Sequence, residues 1–296
     1  MKFSKLVIHI IVLIISLCSL CSSCSDGFDG DNNGAGSAIF GFDSFDEAER
    51  IIGVYADLGK ATDDGLLKLC LSTHFDLDDR HVAEGFLTNA YAPIDMNREG
   101  QNIGDLKLND IEFEFQDGSY VPVNITNGSV EMGEKLTEIS GTDINYTITS
   151  STDGSTVLSE DVYFPRVINA SFNTEGRVED SRVLLVNRDD FVLEWDEDEL
   201  NANGLLVVVF FRNLFLGQGL PNPADQNSGG TIQRAILLDE LGQAKIPAEL
   251  FEGIPENGVA TLTLVRGDVK SIVDFEEHTF QIQVLQDQFF SIGFLD

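Results

Sequence analysis

Ile111, Phe113 and Phe115 alternate with Glu112 and Glu114, and Asp117-Gly118 follows at once. A period of two, with one apolar and one charged set, marks a strand buried on one face and wet on the other. Similar runs cover Tyr120 to Ile125, Ile144 to Thr149 and Asp161 to Phe164, divided by the turn pairs Asn127-Gly128 and Asp153-Gly154. A second block starts near Arg182, where Arg182 to Val186 and Phe191 to Trp195 flank Asn187-Arg188-Asp189-Asp190. Leu205 to Leu216 is nearly continuous in Val, Leu and Phe and reads as a central strand covered on both faces. Ile232 to Leu238, Val259 to Val265 and Thr279 to Leu285 complete the strands, with turns at Asp239 to Gly242 and Glu256 to Gly258. Turns at this spacing point to a mainly β chain built as sandwiches or barrels. One helix is expected near the start, where Ser44 and Glu47 form a capping box and Ala48, Ile51, Ile52, Tyr55 and Leu58 follow at helical spacing up to Gly59. No repeat of fixed period is present.

The N-terminus reads as an export signal. Lys2 and Lys5 give a basic start, Leu6 to Leu17 an apolar core, and Ser19, Ser22 and Ser23 a small-residue approach to Cys24. The apolar stretch falls short of the ~20 residues that cross a bilayer as a helix. Leu20-Cys21-Ser22-Ser23-Cys24 resembles a bacterial lipobox, which implies cleavage before Cys24 and its acylation. Cys18 and Cys21 are rival anchors, but each follows a leucine where the signal peptidase takes a small residue. Several acyl chains, at ~0.8 kcal/mol per buried methylene, hold a protein on a membrane essentially permanently.

Cleavage there leaves 273 of 296 residues, enough for a well-buried core, with two domains as the prior. The organisation expected is a signal peptide over 1–23, an acidic Gly-rich tether over 24–37, a β-rich domain with an N-terminal helix over 38–177 and a β-sandwich domain over 178–296. The tether contains too little apolar surface to fold alone. Loss of Lys2 and Lys5 leaves 16 basic residues against 50 acidic, a formal charge of −34. Such a surface repels phosphates, which excludes nucleic acid as a partner and leaves the lipid as the attachment to the membrane. With Cys18 and Cys21 removed and Cys24 acylated, Cys70 stands alone in the run Leu66 to Leu71, where it reads as a small buried hydrophobe. The fold then rests on its core without an intrachain disulfide.

The stretch from Phe191 to Asp196 through Asn203-Gly204, the apolar strand, Ile246-Pro247 and Leu264-Val265-Arg266-Gly267 resembles the C-terminal part of uncharacterised Bacteroidota surface lipoproteins with immunoglobulin-like β-sandwiches. The resemblance covers about a third of the chain and implies two immunoglobulin-like sandwich domains, with no assigned activity. Ser25, Asp26, Asp29 and Asp31 after the anchor cysteine resemble the surface-export signals of such lipoproteins, which implies display outside the outer membrane. On physical grounds, Phe191, Leu193 and Trp195 point to one face of their strand and belong to the core; sugar stacking by Trp195 is the functional rival.

Several clusters offer ligand chemistry. Asp29, Asp31 and Asn33 open like a Ca²⁺ loop, but Phe40 stands where the bidentate Glu belongs, so an acidic tether explains them more simply. His74, Asp76, Asp78, Asp79 and His81 form the densest set of metal-ligand types, with a solvated acidic turn as the plain alternative, and His278 is the one further imidazole outside the signal. Arg266-Gly267-Asp268 spells an adhesion tripeptide at an expected strand end, and Asn127-Gly128-Ser129 and Asn169-Ala170-Ser171 are sequon-like; both patterns are short enough to recur by chance. The loop Gly217 to Thr231 carries Asn222, Asp225, Gln226 and Asn227, which suit a glycan or cation, or serve as a plain connection. Nucleophile elbows, zinc-protease helices, phosphate loops and dinucleotide fingerprints are absent from the sequence. The expectation is a non-catalytic surface module, requiring no cofactor, that binds an extracellular glycan or envelope protein; the rivals are a polysaccharide hydrolase with paired carboxylates and a purely structural envelope protein.

Overall fold

The computed structural model describes residues 37–39, 54–55, 65–75, 80–91, 104–116, 119–125, 128–150, 153–178, 181–212, 230–256, 258–273 and 279–295. The chain is mainly β. In chain order the strands are β1 (Ser37–Ile39), β2 (Gly65–Phe75), β3 (His81–Tyr91), β4 (Asp105–Leu108), β5 (Ile111–Gln116), β6 (Ser119–Pro122), β7 (Thr142–Thr149), β8 (Thr156–Phe164) and β9 (Ala170–Phe172). They continue with β10 (Gly176–Arg177), β11 (Val183–Asn187), β12 (Val192–Trp195), β13 (Leu205–Arg212), β14 (Gly230–Leu237), β15 (Gln243–Lys245), β16 (Val259–Val273) and β17 (Thr279–Leu295). Helix α1 (Gly128–Ile139) separates β6 from β7. Of the helix expected over residues 44–58, Val54 and Tyr55 are described and both are helical.

The strands form a nine-stranded, a five-stranded and a three-stranded sheet. The spine is the antiparallel pair β16–β17, in register from Val259↔Gly293 to Val273↔Thr279. The first part of β17 also pairs in parallel with β2, and its last five residues pair in parallel with β11. Thus the large sheet takes strands from both sides of residues 177/178, and a strand expected to end at Leu285 runs ten residues further.

Alternation along β17 explains the layers. Ile282 and Val284 pack into one core with Leu67, Leu69, Leu71 and the five-stranded sheet. Phe290, Ile292 and Phe294, on the same face by parity, pack into another with β13, β16 and the three-stranded sheet. Two small sheets therefore sit side by side on one face of the large one. β13 has both faces buried, as its unbroken apolar run predicts.

Sequence reading placed a turn at Asn127-Gly128, but Gly128 begins α1. Met132, Leu136 and Ile139 recur at helical spacing, and Met132 and Leu136 enter the core beneath β3. Gly133 makes this approach possible, because a Cβ there would lie 2.3 Å from Ala83 O, and Gly85 meets Met132 in the same way. Gly133→Ala gains about 1 kcal/mol of helix propensity. The clash is with backbone, which cannot move aside, so the variant is expected to lose at least about 2 kcal/mol in urea unfolding; unchanged or increased stability would show that the helix does not sit this close.

The other face of the large sheet carries Tyr55, Cys70, Leu206, Val208, Ile236, Val265 and Leu285 as a third cluster. Cys70 is buried, as its apolar run implied. Asp287 lies on this face too, fully enclosed, with Ser72 Oγ donating to its Oδ1 at 2.5 Å. Burial pushes its carboxyl up from 3.8 to about 6, against the lowering effects of the Ser72 hydrogen bond and the Lys68 charge. Between those two values the native state holds a proton that the unfolded chain has released, so stability falls as pH rises through this window and stays lower above it. The shift corresponds to about 3 kcal/mol. Asp287→Asn is therefore expected to be more stable than the parent at pH 7 by up to that amount and to lose the advantage near pH 4; urea titrations at both pH values that give the same difference would overturn this.

Candidate functional site

Ile246, Leu193 and Trp195 anchor the three-stranded sheet to the large one, and the polar groups that hold the junction centre on Arg266 of β16. Arg266 is 0% exposed and Asp239, in the 3₁₀ turn after β14, is 3% exposed. Arg266 Nε donates to Asp239 Oδ2 at 2.7 Å and Nη2 to Oδ1 at 2.5 Å, a two-pronged match of guanidinium to carboxylate. Nη1 donates to Arg166 O at 3.0 Å and Val167 O at 3.4 Å, and Nη2 also reaches Asp196 O. Asn201 Nδ2 donates to Asp239 Oδ2 and Gly204 O, both at 2.8 Å, while Trp195 Nε1 donates to Asp239 O at 2.9 Å. Nearly every buried donor and acceptor here is used, the condition under which a buried pair is tolerated.

Above this junction a groove of about 500 Å³ crosses the outer face of the three-stranded sheet. Register builds it: Glu194 pairs with Ser171 on one side and Gln243 on the other, so three polar side chains stand in a row across β9, β12 and β15. Asn169 and Asp196 extend it, with Asn169 Nδ2 donating to Asp196 Oδ2 at 3.1 Å. Ala170, Trp195, Glu197, Leu241 and Gly242 complete the lining. Gly242 is required where it is, since it closes the 3₁₀ turn at φ 63° and a Cβ would meet Glu197 Oε1 at 2.8 Å. The lining is rich in acceptors and contains no basic side chain among the described residues.

Trp195 is 5% exposed with its indole N–H taken up beneath the groove, so it belongs to the core with Phe191 and Leu193. Its bulk is not offered as a stacking face. The strand end expected at Arg266-Gly267-Asp268 is corrected, since all three residues lie inside β16; Arg266 is enclosed by its ion pair and is not displayed for adhesion. His74 and His81 stand on opposite faces of the β2–β3 hairpin, because His81 pairs directly with Phe75 and shares its side. The ring contacts agree, with His74 stacked on Phe289 at 5.0 Å and His81 edge-on to Phe75 at 5.4 Å. Among the described residues no three His, Cys, Asp or Glu side chains come together to hold a metal. Cys24, Asp29, Asp31, Asn33, Asp76, Asp78, Asp79, Asn222, Asp225, Gln226, Asn227 and His278 lie outside the described residues.

Sequence reading passed over Glu194, Asp196, Glu197 and Gln243, and met Asn169 and Ser171 only as a sequon-like triplet. The signal for the first two was present: in the strand whose inward set is Phe191, Leu193 and Trp195, Glu194 is the outward residue and Asp196 follows two places on. What joins them to Ser171 and Gln243 is strand register. Comparison with protein-family models, with curated proteins and with solved structures gives no match.

Removing one partner of the junction leaves a buried charge alone, so Asp239→Ala is expected to cost about 3–5 kcal/mol. Asp239→Ala combined with Arg266→Met is expected to cost less in urea unfolding than the two single losses summed, and a double variant that is strictly additive would show the two side chains to be uncoupled.

Proposed function

We propose that the chain is a lipid-anchored, non-catalytic binding module displayed on a bacterial outer membrane, and that the groove over the three-stranded sheet holds a neutral, hydroxyl-rich extracellular glycan. The observation that carries this is the row Ser171, Glu194 and Gln243 on three hydrogen-bonded strands, flanked by Asn169, Asp196 and Glu197. Such a row offers hydroxyl and amide groups that both donate and accept, with carboxylates that accept from sugar hydroxyls. The absence of a basic lining residue and the acidic whole disfavour sulfated, phosphorylated or uronic polymers. The sandwich layers, read as immunoglobulin-like from the sequence, serve as the scaffold; the signal peptide over 1–23, lipidation at Cys24 and the tether supply the attachment.

Binding of the purified chain to arrays of neutral and acidic glycans, with and without Ca²⁺, tests the reading. Retention of a neutral glycan is expected, with affinity at least about tenfold weaker in Glu194→Ala combined with Gln243→Ala, in line with loss of two hydrogen-bonding groups. Full affinity in that variant would remove the groove from the proposal. Failure to bind any glycan, with an envelope protein recovered by crosslinking, would replace it with a scaffolding role, and cleavage of a bound polysaccharide would make it a hydrolase. Mass spectrometry of the membrane-extracted protein is expected to find acyl chains on Cys24; an unmodified mature N-terminus would remove the anchor.

A further inference from the structure

Gln286 and Gln288 alternate onto one face of β17, flanked by Arg266 and Leu264 on β16 and by Leu71 and Thr73 on β2. They are 1% and 0% exposed and lie where the two cores meet. Above them the chain crosses from β8 to β9 through residues 165–169, and the two amides hold this crossing at its ends. Gln286 Nε2 donates to Pro165 O, and Gln288 Oε1 accepts from Ala170 N–H at 2.9 Å.

Each backbone partner has a single polarity, so each amide has one allowed orientation. A carbonyl takes only the NH₂ end of Gln286, and an N–H takes only the oxygen end of Gln288. The remaining atoms, Gln286 Oε1 and Gln288 Nε2, are buried and meet no hydrogen-bond partner among the described residues. One is an acceptor and the other a donor, two residues apart on the same face. Leaving each unsatisfied in a buried site is costly, and turning either amide over would break a backbone hydrogen bond as well.

We propose that this junction is a binding site for one internal water molecule, which accepts from Gln288 Nε2 and donates to Gln286 Oε1. Thr73 stands beside Gln288, and its hydroxyl proton is given to Asp287 O at 3.0 Å, so its oxygen keeps lone pairs to accept the second water proton. Internal waters with about three polar partners of this kind are integral to a fold and are costly to remove. The water ties both ends of the crossing to one strand, and through Ala170 it steadies β9, whose Ser171 lines the groove. The inference stands on the buried amides alone and does not depend on what the groove binds.

The test is nuclear Overhauser transfer between water and the Gln288 side-chain NH₂ in the full chain, with a crystal structure as the second measurement. A cross-peak from a water longer-lived than surface hydration is expected, together with density about 2.7–3.2 Å from both Gln286 Oε1 and Gln288 Nε2. Gln286→Met removes the acceptor and should weaken the cross-peak at least about threefold, provided the Ala170 amide signal shows the variant folded. If that variant does not fold, the unsubstituted chain decides the matter by itself. A direct hydrogen bond between the two amides, or a dry junction with no long-lived water, would overturn the proposal.

Discussion

The guanidinium of Arg266 is the point on which the rest of the arrangement turns. It sits midway along β16 in the longest hairpin among the described residues, and its donors reach the carboxylate of Asp239 and backbone carbonyls of residues 166, 167 and 196. Those carbonyls belong to segments that enter and leave the three-stranded sheet, so one side chain ties the crossing, the end of β12 and the turn after β14 to the spine. An apolar residue of similar size would fill the volume and leave the part-buried carbonyls of residues 166, 167 and 196 without this donor. That is why a charge is tolerated where desolvation is most costly.

A single sheet carrying two cores on one face must carry something between them. Here the even-numbered side of β17 changes from Ile282 and Val284 to Gln286 and Gln288 and back to Phe290, Ile292 and Phe294. The polar interval coincides with the chain crossing above it, whose backbone groups face the sheet where no strand pairs with them. Buried glutamines supply the missing ladder. The same logic places the groove: its floor is held from beneath by Arg266 and Gln288, so the outward row on β9, β12 and β15 is carried by strands fixed to the spine and not by a mobile loop.

Much of the architecture is legible along the chain where burial is one-sided. Alternation in residues 111–115 and 191–195 marks β5 and β12, and the unbroken apolar run marks β13. Helix α1 is hidden because Asn127-Gly128 mimics a hairpin turn and Gly133 interrupts the pattern with a residue that disfavours helix. Gly133 is present for the contact with β3, a reason that exists only after folding. The extra length of β16 and β17 is likewise obscured, since Arg266, Asp268, Gln286 and Gln288 read as solvent-facing polar residues until the layer above them is in place. The groove was missed for a related reason, because its members are far apart in sequence and are ordinary surface residues one by one.

By itself, the order of residues determines the class of the fold, the inward set Phe191, Leu193 and Trp195, the buried thiol of Cys70 and the strongly acidic charge, because each follows from local period or from counting. Tertiary structure alone decides that β2 and β11 meet opposite ends of β17, that Arg266 is enclosed and not displayed, that His74 and His81 part company across a hairpin, and that Ser171, Glu194 and Gln243 form one row. These depend on register and on pairings between strands more than a hundred residues apart in several cases. No local pattern encodes which distant strand will supply the partner, since the hydrophobic effect that drives the pairing is non-directional and only mutual packing and hydrogen bonding select among the alternatives.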